Sequence, residues 1–206
     1  AAVDEARVAR AAEPVTPLRL QAPDIATTLE DVVERRIRFL TEYQNEAYAR
    51  RYKDLVVRVQ KAEADRAKGQ EGLTGAVARY YYKLLAYKDE YEVARLYTDG
   101  QFARKLHDQF EGDYKLKFHM APPLFAKRDP ETGELLKQEF GPWMMTAFKA
   151  LAGLKFLRGT ALDPFGRSAE RKRERQLIAD YEKVIGEICD GLNRTNHDLA
   201  VAIAPI

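Results

Sequence analysis

Apolar positions along this chain recur mainly with the period of an α-helix. Leu29, Val33, Ile37, Leu40 and Tyr43 form one such series. Tyr48, Tyr52, Leu55, Val56 and Val59 continue it nearly to Gly69, at the three- and four-residue spacing that puts side chains on one helix face. Thr27-Thr28-Leu29-Glu30 ahead of the series has the composition of a capping box, in which a threonine hydroxyl and a glutamate satisfy orphan amides. The pattern predicts two helices with a bend near Gln44-Asn45. Gly69, Gly72 and Gly75 punctuate a turn before a third helix from about Thr74 to Thr98, and a short helix follows over Gln101 to Phe110.

The period then changes. Tyr114, Leu116, Phe118 and Met120 alternate with Lys115, Lys117 and His119, the signature of a half-buried strand. Leu124 to Lys127 and Leu135 to Gln138 flank the turn sequence Asp129-Pro130-Glu131-Thr132-Gly133, so a small antiparallel sheet near 114–138 is expected. A helix opening at Gly141-Pro142-Trp143 carries Met144, Met145, Phe148, Leu151, Leu154 and Phe156, apolar nearly all round, which places it at the centre of a core. From Ser168 a long amphipathic helix sets Leu177, Ile178, Tyr181, Val184, Ile185, Ile188 and Leu192 on one side, and a last helix spans about Arg194 to Ala204. The expected fold is mainly α with a small β insert: about six helices in one domain over 24–206. Residues 1–23, with Pro14, Pro17 and Pro23, read as a linker or extended arm.

Composition narrows the function classes. The chain has 206 residues, 46% hydrophobic and 32% charged, enough for one well-buried core. Its net charge of +2 gives no overall bias towards nucleic acid or an anionic membrane. No apolar run is long enough to span a bilayer, and the charged opening residues lack the apolar stretch of a signal peptide, so a cytoplasmic location is expected. The start without Met and the stop at Ala204-Pro205-Ile206 look like cuts through a longer polypeptide. The one cysteine, Cys189, reads as a small buried hydrophobe; alone it can neither close an internal disulfide nor hold a zinc ion or an iron–sulfur cluster.

No local motif supplies a nucleophile, a metal cage or a phosphate cradle. His107 and Glu111 stand four apart with Asp113 nearby, a spacing able to hold a metal; two ligands without a fixed third make an exposed helix end the better reading. His119 is expected at the surface and His197 in a local helix-start role. The triple-glycine turn lacks the Lys-Ser/Thr ending of a P-loop and reads as an inter-helix turn. Ala78 to Thr98 gathers Tyr80, Tyr81, Tyr82, Tyr87, Tyr91 and Tyr97. The first three point in different directions on a helix, which favours packing with satisfied hydroxyls over a base-stacking platform. Arg167, Arg171, Lys172, Arg173 and Arg175 form a basic group offset by Glu170 and Glu174. A solvated face is the default, and an interaction surface for an acidic partner or nucleic acid is the alternative. No catalytic, cofactor-binding or metal-binding residue is assigned.

Four longer stretches carry a resemblance: LTEYQNEAYARRY (40–52), YKLLAYKDEYEVARLYT (82–98), YKLKFHMAPPLFAKRDPETG (114–133) and FGPWMMTAFKALAGLKFLRGTALDPFG (140–166). From about Leu29 onward the chain resembles the C-terminal tail domain of the fused bacterial indolepyruvate ferredoxin oxidoreductases, members of the 2-oxoacid:ferredoxin oxidoreductases. The resemblance implies a parent enzyme that oxidatively decarboxylates arylpyruvates with thiamine diphosphate, Mg2+ and [4Fe–4S] clusters, takes coenzyme A as co-substrate and reduces ferredoxin. The domains carrying that chemistry have no counterpart in this sequence, so the tail is expected to be non-catalytic. Its expected partners are the catalytic domains of the same polypeptide, with homo-oligomer contacts and no nucleic acid or membrane. The alternative is a free-standing helical binding module for nucleic acid or an acidic protein.

Overall fold

A computed structural model describes residues 28–112, 114–121, 132–133 and 136–205. Among them lie eight α-helices and one two-stranded antiparallel sheet. The helices are α1 (Leu29–Tyr43), α2 (Glu46–Arg66), α3 (Leu73–Leu85), α4 (Glu90–Thr98), α5 (Gln101–Gln109), α6 (Met144–Gly153), α7 (Ala169–Gly191) and α8 (His197–Ile203); a 3-10 turn, Lys155–Leu157, follows α6. The strands are β1 (Phe118–Met120) and β2 (Gln138–Phe140). The mainly helical class with a small sheet is therefore observed. The linker 1–23, the expected flank Leu124 to Lys127 and the turn residues 129–131 lie outside the described residues.

Several helix starts have a local cause. The capping box falls one residue later than expected: the Thr28 hydroxyl accepts from the Asp31 amide at 3.1 Å, and the Asp31 carboxylate accepts from the Thr28 amide at 3.2 Å. The bend at Gln44-Asn45 is present because Asn45 caps α2, its Oδ1 accepting from the Tyr48 amide at 2.9 Å. Ser168 likewise caps α7 through the Arg171 amide.

The tyrosine-rich run is two helices, not one. α3 stops at Leu85, and Asp89 starts α4 by accepting from the Glu92 amide at 2.8 Å. Interrupting a helix leaves carbonyls without partners. Tyrosine hydroxyls from the neighbouring helices supply them: Tyr48 donates to the Leu85 carbonyl at 3.0 Å and Tyr43 to the Tyr87 carbonyl at 2.9 Å. Tertiary hydrogen bonds thus stabilise a break that helix propensity alone would close.

Two cores result. The larger joins α1, α2, α3, α7 and α8 around Leu40, Val59, Val77, Leu85, Ile178 and Ile185. Its spine is a stack of three tyrosine rings: Tyr52 on Tyr81 with centroids 5.9 Å apart, and Tyr81 on Tyr181 at 5.7 Å. Every hydroxyl of the stack donates, Tyr52 to the Ala78 carbonyl, Tyr81 to Glu182 and Tyr181 to the Ala204 carbonyl, so the rings are buried without orphaned polar groups. Cys189 is buried in the same core, and burial raises its thiol pKa.

The smaller core packs α4 and α6 with the sheet through Ala94, Phe118, Met144 and Phe148. Phe118 pairs with Phe140 across the strands, with His119 opposite Glu139 on the wet face. Phe118 inside and His119 outside follow the expected alternation. α6 is not central, contrary to its all-round apolarity: it seals this satellite core with Met144 and Phe148, while Trp143, Leu154 and Phe156 face solvent. On α7, Leu177 and Val184 are also exposed, because the buried stripe runs through Ile178, Tyr181, Ile185 and Cys189.

Candidate functional site

Buried charge concentrates where the two cores meet. Arg158, just past the 3-10 turn, donates from Nε to Asp89 Oδ2 at 2.5 Å, from Nη2 to Asp89 Oδ1 at 2.9 Å, and from Nη1 to the Tyr43 carbonyl at 2.5 Å. Its guanidinium lies 3.7 Å from the Tyr43 ring centroid. Burial alone would lower the Arg158 pKa, but the Asp89 bonds outweigh it and hold it above the usual arginine value. Asp163 closes the loop ahead of α7: it accepts from the Tyr91 hydroxyl at 3.1 Å, the Gly159 amide at 2.8 Å and the Phe165 amide at 3.1 Å. These groups are saturated by partners within the fold, and their work is to clamp α1, α4 and the 157–166 loop together.

A second buried pair ties the chain's two ends of the larger core. Glu63 of α2 accepts from the Leu73 amide at 2.8 Å, the Thr74 amide at 3.0 Å and the Thr74 hydroxyl, and pairs with His197 Nε2 at 2.8 Å. Burial alone would raise the Glu63 pKa; the bonds from Thr74, His197 and Leu73 outweigh it and hold the carboxyl below the usual range. This overturns the local role expected for His197, which is buried and bonded to a residue 134 positions away; Asn193, not His197, accepts from the amides of Thr195 and Asn196. It also explains the triple-glycine turn. Gly69 and Gly72 adopt positive φ, +85° and +124°, which only glycine takes at no steric cost. The amides at the α3 start, where a phosphate would sit, already bind the Glu63 carboxylate.

The basic group at the start of α7 divides. Arg171 turns inward, with Nη1 donating to Glu174 at 2.7 Å and Nη2 lying 3.6 Å from Glu90 Oε2. Arg175 donates to the Gly166 carbonyl at 2.7 Å. Arg167 donates to the Ala161 carbonyl at 3.1 Å from an exposed position, and Lys172 and Arg173 are exposed. The five therefore do not form one cationic face. His107 and Glu111 are exposed, His119 is exposed beside Glu139, and Asp113 lies outside the described residues. Among the described residues no group of three or more His, Cys, Asp or Glu is placed to hold a metal ion, and no helix is long and apolar enough to cross a membrane.

A cleft of about 430 Å³ opens beside the Asp89–Arg158 clamp. One wall is α6, which presents Met144, Ala147, Phe148 and Leu151 at i, i+3, i+4 and i+7; Val93, Phe140, Trp143 and Phe165 complete the apolar surface. Its polar end is formed by Lys88, Asp89, Glu90 and Arg171.

Residues 29–206 match a family of unknown function, DUF6537. The chain belongs to this family. No curated protein and no solved structure matches it. In this family member the residues that organise the clamp, the cleft and the Glu63–His197 pair (Glu63, Asp89, Glu90, Arg158) escape motif reading, because their charged partners are distant in sequence; Asp163 adds the distant Tyr91 hydroxyl to two local amides. One local signal was available: Asp89 followed by Glu92 has the spacing of a helix start inside the tyrosine-rich run. Glu63 and His197 share no such local cue.

Proposed function

We propose that this chain is a non-catalytic structural and interaction domain of a larger cytoplasmic oxidoreductase, of the indolepyruvate ferredoxin type that its segments resemble. On this reading thiamine diphosphate, Mg2+ and the [4Fe–4S] clusters are held elsewhere in the parent enzyme, with coenzyme A as co-substrate and ferredoxin as electron acceptor. The catalytic domains of the same polypeptide and a second subunit are the surfaces this domain meets.

The observation carrying the reading is the exposure of large apolar side chains over 143–162: Trp143 is 61% exposed, Phe156 60% and Leu162 76%. Exposed aromatic groups of this kind are enriched at interface cores, and each contributes about 1.5–3 kcal/mol when fully buried. The ionic groups described above support it as well, since their bonds hold helices together.

Deleting residues 29–206 from the parent polypeptide tests the proposal. Oligomer mass and thermal stability are expected to fall, while the assembled remainder still turns over arylpyruvate. An intact, stable oligomer that no longer reduces ferredoxin would refute it and assign the domain to the electron-carrier approach, where exposed Lys172 and Arg173 would steer an acidic protein. Salt-sensitive binding of the isolated chain to RNA or DNA, lost on charge reversal of Lys172 and Arg173, would favour the free-standing module instead. Cysteine-rich cluster motifs and a thiamine-binding domain in the same reading frame would fix the parent.

A further inference from the structure

The cleft beside α6 has the dimensions of a small-molecule site: about 430 Å³, within the several-hundred-Å³ range of ligand pockets, and apolar with few polar groups gathered at one end. One of those polar groups is unfinished. Among the described residues Glu90 Oε2 is buried without a hydrogen-bond partner, and a buried carboxylate oxygen that accepts no hydrogen bond is costly enough to call for a donor. Arg171 does not supply the missing bond, because its Nη2 stands 3.6 Å away and its Nη1 is committed to Glu174.

The unmet acceptor at this end selects the ligand. Asp89 is neutralised by its two bonds from Arg158, and Lys88 is exposed. That leaves one guanidinium, Arg171, between two carboxylates, Glu90 and Glu174. Among the lining charges Lys88 and Arg171 offset Asp89 and Glu90, so selection rests on Glu90 Oε2, the acceptor still without a donor; burial would lower the Arg171 pKa, yet Glu174 and Glu90 hold it above the usual arginine value. Trp143 and Phe165 also line the walls, and aromatic rings are favourable neighbours of a cation.

We propose that this cleft binds a small amphiphilic amine, its aryl or branched-alkyl body against Met144, Ala147, Phe148 and Leu151 and its ammonium group donating to Glu90 Oε2.

Trp143 is the chain's single tryptophan and lines the cleft, so its fluorescence, excited where tyrosine does not absorb, reports occupancy. The 206-residue chain is titrated with phenethylamine, phenylacetate and phenylethanol, which share a ring and differ in charge. Phenethylamine is expected to saturate with an affinity at least about tenfold above that of phenylacetate. Glu90→Gln should abolish that preference while leaving phenylethanol binding in place, and Ala147→Phe should block all three by filling the wall. Absence of saturable binding by phenethylamine overturns the proposal, as does equal or tighter binding of phenylacetate. A charge preference that survives Glu90→Gln overturns it too. Loss of phenylethanol binding in Glu90→Gln also counts against it, since Glu90 would then shape the cleft rather than recognise the ligand.

Discussion

Replacing Arg158 with methionine removes the clamp between the cores while keeping a side chain of similar length. Arg158 and Asp89 are only 5% and 3% exposed, so the pair differs from a surface ion pair worth at most about 1 kcal/mol. Removing one partner of a buried pair leaves the other charged and unmatched, at about 3–5 kcal/mol. Two details fix where in that range the loss falls. Asp89 keeps the Glu92 amide, which moderates the cost, while the guanidinium at 3.7 Å from the Tyr43 ring centroid and the bond to the Tyr43 carbonyl are both lost. A loss of about 4 kcal/mol is expected, equivalent to a fall in melting temperature of about 8–16 °C for a chain of this size. Urea unfolding followed by circular dichroism measures it. The double change Arg158→Met with Asp89→Asn removes the stranded charge and keeps a capping side chain at position 89, so it should recover about 1–3 kcal/mol relative to the single change. A single-variant loss below about 1 kcal/mol, or a double variant no more stable than the single, would refute the reasoning.

Three further outcomes follow from the same structure. Because the folded-state pKa of Glu63 lies below its unfolded value, its contribution is fully present above about pH 4.3 and is lost as pH falls through the folded value; the difference in stability between wild type and Glu63→Gln should therefore shrink on acidification, and a difference that stays constant or grows would contradict the assignment. Gly166→Ala should cost about 1–3 kcal/mol, since a Cβ there would meet Asp163 Oδ2 at 2.5 Å and Cγ at 2.8 Å; Gly191→Ala, in the last turn of α7 with nothing within 4 Å, is the control that should leave the melting temperature unchanged or raise it slightly. Cys189, buried with a raised thiol pKa, should react with a thiol reagent only after unfolding, at a rate that rises with denaturant; fast labelling of the native chain would show that α7 separates from α2 more readily than its packing implies.

Which of these features could be read from residues alone follows from the range of the interaction responsible. Helix starts at Asn45 and Ser168 rest on a side chain and an amide three residues apart, and they were legible. So was the strand alternation of Phe118 and His119, which reflects one face of a local pair. The break between Leu85 and Asp89 left one local sign, the helix-start spacing of Asp89 and Glu92; the carbonyls it frees are satisfied by Tyr43 and Tyr48 from other helices, which no residue near 86 reveals. α6 looked central because every face is apolar; its position was set by how much surface the satellite core can cover. The Arg171 to Arg175 segment read as a basic face because sequence gives charge without direction, and two of its guanidiniums point inward.

The placement of the unread residues carries its own argument. α4 contributes to the smaller core through Ala94, while its first turn and its Arg95 bind elements of the larger one: Asp89 through Arg158 to the Tyr43 carbonyl, and Arg95 to Glu42 at 3.3 Å. Apolar contacts therefore build each core separately, and directional charged bonds fix their relative position. Hydrophobic burial is tolerant of small displacements, whereas a two-bond guanidinium–carboxylate pair is not. Loosening the Asp89–Arg158 pair should accordingly alter the cleft, whose polar end includes Lys88 and Glu90 on either side of Asp89, before it disturbs either core. Trp143 fluorescence in Arg158→Met, at denaturant concentrations where the circular dichroism is still native, distinguishes this ordering from a single cooperative collapse.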